Sequence, residues 1–390
     1  MIDALPESVA IVEINDGKSL ERLAGALKLQ GVSGDASQPW TLRPLHAKLL
    51  ERLRLANARA VVFDLRFRKP TEADGDFAAA IAQMTAANIP VVSAMPTLDA
   101  SSVSPVLASQ LRLAADIVGV PYGAALLGHY LAIEPPGAAP VPSFALATSI
   151  ALYRQDADAA IQIDEAANQL EVRFFVPDAA NPRKRNWLSD RWSMPLARVT
   201  HRPQADARLG IVAGSRLAEA QLPMPSDTIL RAARMDYASV FDQDLAAVQK
   251  RIGGRVVVVA DGRPGMDPTL DIGAGRKIPG YCAVAASIHA AIRGGWVQIP
   301  SSGERLLFIA VTCALTAALG ASARPRLFRG IAILAFVLVI AMLIGFIAFR
   351  VLGVLLNPIP AAIGAFVTGA IGLIGRRLFP TSKPLEGTAE

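Results

Sequence analysis

The sequence predicts an α/β domain, a mostly parallel sheet with flanking helices, followed by an all-α region of three transmembrane helices. Short apolar runs alternate with amphipathic segments through residues 1–300, and three long apolar stretches follow them. The chain has 390 residues, of which 52% are hydrophobic and 18% charged. It is therefore too long for one compact core and richer in apolar residues than an average soluble protein.

The alternation of strand and helix begins near the amino terminus. The apolar run 9–14 is followed by the turn residues 15–17, which predicts a first strand. Leu45, Leu49 and Leu53 recur every four residues, which is typical of an amphipathic helix. The predicted elements are, in order, strand 9–14, helix 44–55, strand 60–65, a helix marked by Phe77, Ile81 and Met84, and strand 89–94. This order favours a parallel sheet with helices packed on it.

The second half of the domain is less regular in sequence. Residues 142–154 hold apolar side chains at helical spacing, and 253–262 contain a strand apolar enough to be buried. Basic residues and prolines between them predict an irregular, solvated basic insertion at about 181–225. A last helix, 282–293, leads within a few residues into the first long apolar stretch.

The three apolar stretches predict a membrane anchor. They cover about 306–321, 328–349 and 354–375, and a polar tail, 376–390, follows them. The second and third are long enough to span a bilayer core, whereas the first needs its flanks or a thinned bilayer. The alternative is a buried hairpin of core helices, which would leave three successive helices apolar on all faces.

Arginines beside these stretches predict the orientation. Arg324, Arg326 and Arg329 lie between the first two stretches, and Arg376 and Arg377 follow the third. By the positive-inside rule both clusters face the cytoplasm, so the large domain lies outside and the carboxyl terminus inside. An exported domain needs a targeting segment, and residues 1–14 are too short and too acidic to be one, so we expect a helix upstream.

Several function classes find no support in the sequence. Basic residues are scattered rather than grouped along a groove, which argues against nucleic-acid binding. The four histidines match no ligand spacing, so no metal site is predicted. No P-loop and no G-x-S-x-G motif is present, so we predict neither an enzyme, nor catalytic residues, nor a cofactor.

An ordered set of short motifs resembles the type-two CHASE domain, an extracellular sensing module attached to bacterial cyclases, histidine kinases and similar signalling proteins. The similarity covers both ends of the chain and is weak over about 126–225. It includes the three spans after the domain. The residues that carry it are Ile14-Asn15-Asp16, Ser19-Leu20, Pro39-Trp40, Arg43, Asn57-Ala58, Val61-Val62-Phe63-Asp64, Asp74, Asp76, Gly253-Gly254-Arg255-Val256-Val257-Val258-Val259, Asp267, Pro268-Thr269, Pro279-Gly280, Pro358 and Pro360.

The resemblance implies a sensory function and also has gaps. Family members commonly continue into a cytoplasmic output domain, whereas residues 376–390 leave no room for one, so we expect the output in a partner protein or in a part of the protein outside these 390 residues. Val284 stands where the family usually has a histidine after Pro279 and Gly280. This departure implies that the chain binds a different ligand from its relatives, or none.

Six residues are candidates for organising a ligand. Asp16, Asp64, Asp74 and Asp76 follow or lie near the carboxyl ends of predicted strands, where open α/β sheets bind ligands. Arg43 could pair with Asp64, and such a pair would equally brace the fold. The sixth candidate, Asp267, comes from the resemblance alone. A solvated acidic loop is the alternative at Asp74 and Asp76.

The sequence therefore predicts an extracytoplasmic sensory module in a bacterial inner membrane. Its partners would be the lipid bilayer and a signalling protein in the cytoplasm or membrane. The sequence leaves open whether the chain also binds a second copy of itself or a small-molecule ligand, whose identity is unknown. Two rival interpretations are an assembly subunit of a membrane complex and an extracytoplasmic envelope enzyme.

Overall fold

A six-stranded sheet forms the centre of the structure, which is a computed structural model. It describes residues 5–68, 70–95, 103–115, 121–122, 126–178, 184–202, 204, 211–223, 225–271, 276–293, 302–322, 339–340, 342–347, 363–364 and 367. The chain divides into two compact units, Met1–Trp296 and Val297–Glu390.

The α-helices and strands of the described residues are as follows, and a short 3-10 helix, Pro39–Leu42, directly precedes the third α-helix. The strands are β1 (Val9–Ile14), β2 (Ala60–Arg66), β3 (Val91–Met95), β4 (Arg112–Ala115), β5 (Pro121–Tyr122), β6 (Leu126–Glu134), β7 (Val141–Pro142), β8 (Asp158–Asp164), β9 (Gln169–Pro177), β10 (Arg185–Pro195), β11 (Arg198–Arg202), β12 (Ser215–Pro223), β13 (Arg234–Asp236), β14 (Val256–Asp261), β15 (Thr269–Asp271) and β16 (Lys277–Pro279). The helices are α1 (Leu5–Ser8), α2 (Gly17–Ala26), α3 (Arg43–Leu55), α4 (Asp74–Ala86), α5 (Pro105–Ala108), α6 (Phe144–Tyr153), α7 (Asp227–Ala233), α8 (Ser239–Asp242), α9 (Leu245–Ile252), α10 (Gly280–Arg293) and α11 (Ser302–Ser322).

The central sheet has the order β13-β1-β14-β2-β3-β4, and all its pairs are parallel. The prediction of an α/β fold with a mostly parallel sheet is confirmed. β14 lies between β1 and β2, with Val256 opposite both Val9 and Ala60. Its six residues are all buried, which explains why the sequence shows a continuous apolar run there.

Two apolar layers cover the sheet. One contains α2, α3, α4, α8 and α9, with Leu45, Leu49 and Leu53 of α3 fully buried as their spacing predicts. The other contains α6 and α10 together with strands β8 to β10. Every residue of α10 from Gly280 to Ala291 is buried, because the helix packs against both the sheet and α6, which lies beside it.

Two antiparallel sheets lie beside the parallel one, and they include most of the predicted irregular insertion at 181–225. β10, β9 and β8 form one sheet, while β11, β12, β6 and β5 form the other. Within β10, Leu188, Asp190, Trp192 and Met194 are more buried than Ser189, Arg191 and Ser193, which alternate with them. This two-residue period is that of a strand with one solvated face, so Arg185 and Arg191 face water as the arginines of a loop would.

The predicted spans fall only partly on described residues. Helix α11 covers the first, 306–321, whereas most of 328–349 and 354–375 lies outside the described residues. The described segment 342–347 is helical. Within the part of the chain that the structure describes, no helix has both the length and the apolar character of a membrane span.

Candidate functional site

The predicted ligand residues lie around the carboxyl-terminal edge of the parallel sheet, but they do not form one site. Asp16 begins α2, where its carboxylate accepts hydrogen bonds from the backbone N–H groups of Lys18, at 3.2 Å, and Ser19, at 2.9 Å. Both groups belong to the first turn of the helix, which otherwise has no partners for its first N–H groups. Asp16 therefore has a capping role.

Arg43 and Asp74 are the two predicted residues that the fold brings together. Arg43 donates to the Asp74 carboxylate, so its ion-pair partner is Asp74 rather than the predicted Asp64. The pair is buried, with side chains 0% and 5% exposed. Ser104 also donates to this carboxylate, and Thr71 Oγ1 donates to Oδ1 over 2.8 Å. Asp74 thus joins the starts of α3, α4 and α5.

Opposing effects set the pKa of Asp74. Burial raises it, but hydrogen bonds from Ser104 and Thr71 and the charge of Arg43 together lower it below its ordinary value. Burial also lowers the pKa of Arg43, against the effect of Asp74. A guanidinium is so weakly acidic that it stays charged at neutral pH. The pair is ionised in the folded protein and braces the sheet edge.

The other three candidates lie apart. Asp64 is half-buried on β2, opposite Ala260 of β14. Asp76 is exposed in the first turn of α4, so it belongs to a helix rather than to an acidic loop, and it lines a surface groove of about 470 Å³ between α3 and α4. Asp267 accepts a hydrogen bond of 3.2 Å from the N–H of Tyr281, in the first turn of α10.

A polar network at the start of α10 was not predicted from the sequence. Tyr281 donates its hydroxyl to the Glu13 carboxylate of β1. Arg234 of β13 lies 3.9 Å from Glu13 Oε2, and its Nη2 is 3.0 Å from Cys282 Sγ. Burial raises the pKa of Cys282 to about 12, so the thiol stays protonated and is a poor nucleophile. One signal for the network was available, since Glu13 interrupts an otherwise apolar strand.

A cleft lies on the face of the parallel sheet that α6 and α10 cover, near the amino-terminal edge of the sheet. It has a volume of about 260 Å³ and is bounded by the last turns of α6 and α10 and by β10. Its lining residues are Arg59, Ser149, Leu152, Tyr153, Arg191, Trp192, Ala291 and Ile292. The cleft therefore combines two arginines with aromatic and aliphatic walls, and sequence reasoning singled out none of these side chains as a ligand residue.

Among the described residues, no three His, Cys, Asp or Glu side chains lie close enough together to hold a metal ion. His46 is enclosed by Phe63, Phe67 and Phe77, and its Nδ1 lies 3.1 Å from the Tyr237 hydroxyl. Burial lowers the pKa of His46 to about 3, so the ring is neutral. It fills the core between α3 and the sheet.

Comparison with known families identifies the domain. The family model for the CHASE2 domain matches residues 1–320. The chain belongs to the CHASE2 domain family. CHASE2 domains are extracellular sensory domains, which is in line with a sensory module placed outside the cytoplasm. The match runs through 126–225, where the motifs read from the sequence show little similarity. Neither the curated proteins nor the solved structures contain a match to this CHASE2 chain.

Proposed function

We propose that this CHASE2 domain is the input module of a bacterial membrane-bound sensory system. The domain lies outside the cytoplasm, and the apolar stretches after residue 305 anchor it in the inner membrane. A change in the domain moves α10, and the movement passes along the chain to a cytoplasmic output partner. The family match supports the sensory part, while the apolar stretches and their flanking arginines support the anchor and its orientation.

The position of α10 is the observation that carries the relay. Its first turn belongs to the polar network with Glu13 and Arg234, and its last turn lines the cleft near the opposite edge of the sheet. Between these ends it is buried throughout. Closely packed helices move as units rather than by bending. A shift at either end of α10 is therefore transmitted along it to Arg293, from which the chain continues towards α11.

The orientation can be tested by labelling a cysteine in whole cells. Glu72 is exposed, and Cys282 is fully buried, so Glu72→Cys offers an accessible thiol, with the unsubstituted chain as the control for Cys313. We expect a membrane-impermeant maleimide to label this variant in intact cells once the outer membrane is permeabilised. Labelling that appears only after the inner membrane is broken would exclude the outside placement.

The relay can be tested by overfilling the core at α10. Ala286 is 3% exposed, and Ala286→Leu adds three carbon atoms to a packed site. Ala79, exposed on α4, gives the matched control Ala79→Leu. We expect hydrogen exchange in 302–316 to change in the Ala286 variant and not in the control. Equal exchange in both variants would refute transmission through α10.

A further inference from the structure

The cleft between α6, α10 and β10 has the composition of a binding site for a small organic anion. We propose that it binds a carboxylate with a short apolar body, and that this ligand is the stimulus of the sensor. The proposal rests on the proposed function for its signalling meaning, but the binding itself can be measured separately.

Two arginines supply the charge. Arg59 precedes β2 and Arg191 lies on β10, and both are exposed. Among the described residues, neither guanidinium has an acidic partner. The neighbouring Arg154 differs, since it is 2.8 Å from Asp156 and 2.6 Å from Asp190. These two carboxylates are thus already engaged, which leaves the arginines of the cleft available to an anion from solution.

The remaining walls suit an apolar body. Tyr153 is 57% exposed at the end of α6, although tyrosines of this domain such as Tyr237 and Tyr281 are fully buried. Trp192 is half-buried beside it, and Leu152 and Ile292 complete the apolar surface. Aromatic rings together with arginines are the side chains most often found at strong binding contacts. An inorganic anion would leave the apolar walls of the cleft in contact with water, whereas the apolar body of an organic anion would cover them.

The size of the cleft limits the ligand. Its volume of about 260 Å³ is below the range of about 300–1,000 Å³ in which drug-sized molecules bind. A single ring or a short chain bearing one carboxylate is of suitable size. Ser149 also lines the cleft, but its hydroxyl oxygen is enclosed by protein atoms and does not face the opening.

Binding here would act on α10 directly. Ala291 and Ile292 of its last turn line the cleft together with Arg59, which precedes β2, and Arg191 of β10. A ligand that contacts both sides stabilises one spacing between them. An occupant changes a conformational equilibrium only through such differences in contact between two states.

Titration calorimetry on the full chain in detergent micelles tests the site, with benzoate as the probe and benzamide as its neutral counterpart. We expect saturable binding of benzoate at millimolar concentration and at least tenfold weaker binding of benzamide. Arg59→Gln and Arg191→Gln should each weaken benzoate binding at least tenfold. Arg22→Gln, at an exposed position on α2, should leave it unchanged. Far-UV circular dichroism confirms that each variant is folded.

Three results would overturn the site: no saturable binding of benzoate, equal affinity for benzamide, or affinities of the cleft variants equal to that of Arg22→Gln. The binding and the function fail in different ways. Loss of the site leaves the labelling of Glu72→Cys unaffected, whereas failed labelling in intact cells removes the outside placement without changing the benzoate isotherm.

Discussion

The buried pair of Arg43 and Asp74 provides a direct measure of what holds the carboxyl-terminal edge of the sheet together. Asp74→Asn keeps the shape of the side chain but removes its charge, which leaves the Arg43 guanidinium buried without a counter-ion. The pair is almost fully excluded from solvent, and Nε and Nη2 of Arg43 have no hydrogen-bond partner in the described structure. Removing one member of such a pair costs about 3–5 kcal/mol.

This cost converts into a measurable shift in melting temperature. With an unfolding entropy of about 2.1 cal/mol/K per residue, the unit Met1–Trp296 has a total near 0.6 kcal/mol/K, so a loss of about 4 kcal/mol lowers Tm by roughly 6–7 °C. The double variant Arg43→Met/Asp74→Leu carries no buried charge. It should be more stable than Asp74→Asn by about 2 kcal/mol, because replacing a whole buried pair by apolar groups is often close to neutral.

Urea unfolding of the full chain, followed by far-UV circular dichroism, gives these free energies. Lys48 and Glu51 form a matched control, since they are 3.2 Å apart but half-exposed, so Lys48→Met should cost well under about 1 kcal/mol. The reasoning is refuted if Asp74→Asn lies within about 1 kcal/mol of the wild type. It is also refuted if the double variant loses as much unfolding free energy as the single variants Arg43→Met and Asp74→Leu lose together.

The pH dependence of the pair has a definite sign. Asp74 has a lowered pKa in the folded protein, so its stabilising contribution is complete above the unfolded value of about 3.9. It is lost as the pH falls through the folded value. The stability difference between the wild type and Asp74→Asn should therefore be constant from pH 5 to pH 7 and shrink in stronger acid.

Three further outcomes follow from buried polar groups. His46 has a pKa near 3 in the folded protein and about 6.5 in the unfolded chain, so it destabilises the domain as the pH falls below about 6.5. His46→Leu should therefore reduce the dependence of the unfolding free energy on pH by up to about 1.4 kcal/mol per pH unit, as measured by urea titrations at pH 4–6. Gly262→Ala should destabilise the domain, because the added Cβ would overlap the Glu13 carboxylate. In the control Gly25→Ala the added Cβ meets nothing within 4 Å, so this change should be neutral or stabilising. Equal melting temperatures of the two variants would contradict this. Tyr281→Phe leaves Glu13 without its hydroxyl donor and should cost about 1–3 kcal/mol in urea unfolding, and an unchanged midpoint would show that the hydrogen bond contributes little.

The sequence reveals the parallel sheet because its strands are buried on both faces. The run Val256 to Val259 is apolar at every position, and its short length and β-branched residues favour a buried strand over a buried helix. β10 is hidden for the opposite reason. It is solvated on one face, and Arg185, Asp190 and Arg191 give it the composition of a loop.

The sequence also identifies candidate site residues without revealing which side chains meet in the folded protein. Asp16 is visible as a polar residue after a strand, but its capping geometry depends on where α2 begins. Arg43 and Asp74 are 31 residues apart, and their pairing depends on how two helices start at the same sheet edge. The cleft is still less visible, since Arg59, Tyr153 and Ile292 come from three distant segments that no local pattern connects.

The place of β14 in the sheet has a consequence for how the chain folds. β14 lies between β1 and β2, so the first two strands do not pair with each other. Both pair with a strand that is synthesised about two hundred residues later. Closing such long loops before any pairing occurs slows folding, and unpaired strand edges invite association in the meantime. A growing chain shorter than residue 261 cannot complete the sheet. We expect ribosome-bound chains that end before Val256 to be digested by protease along β1 and β2, with resistance appearing abruptly once β14 has emerged.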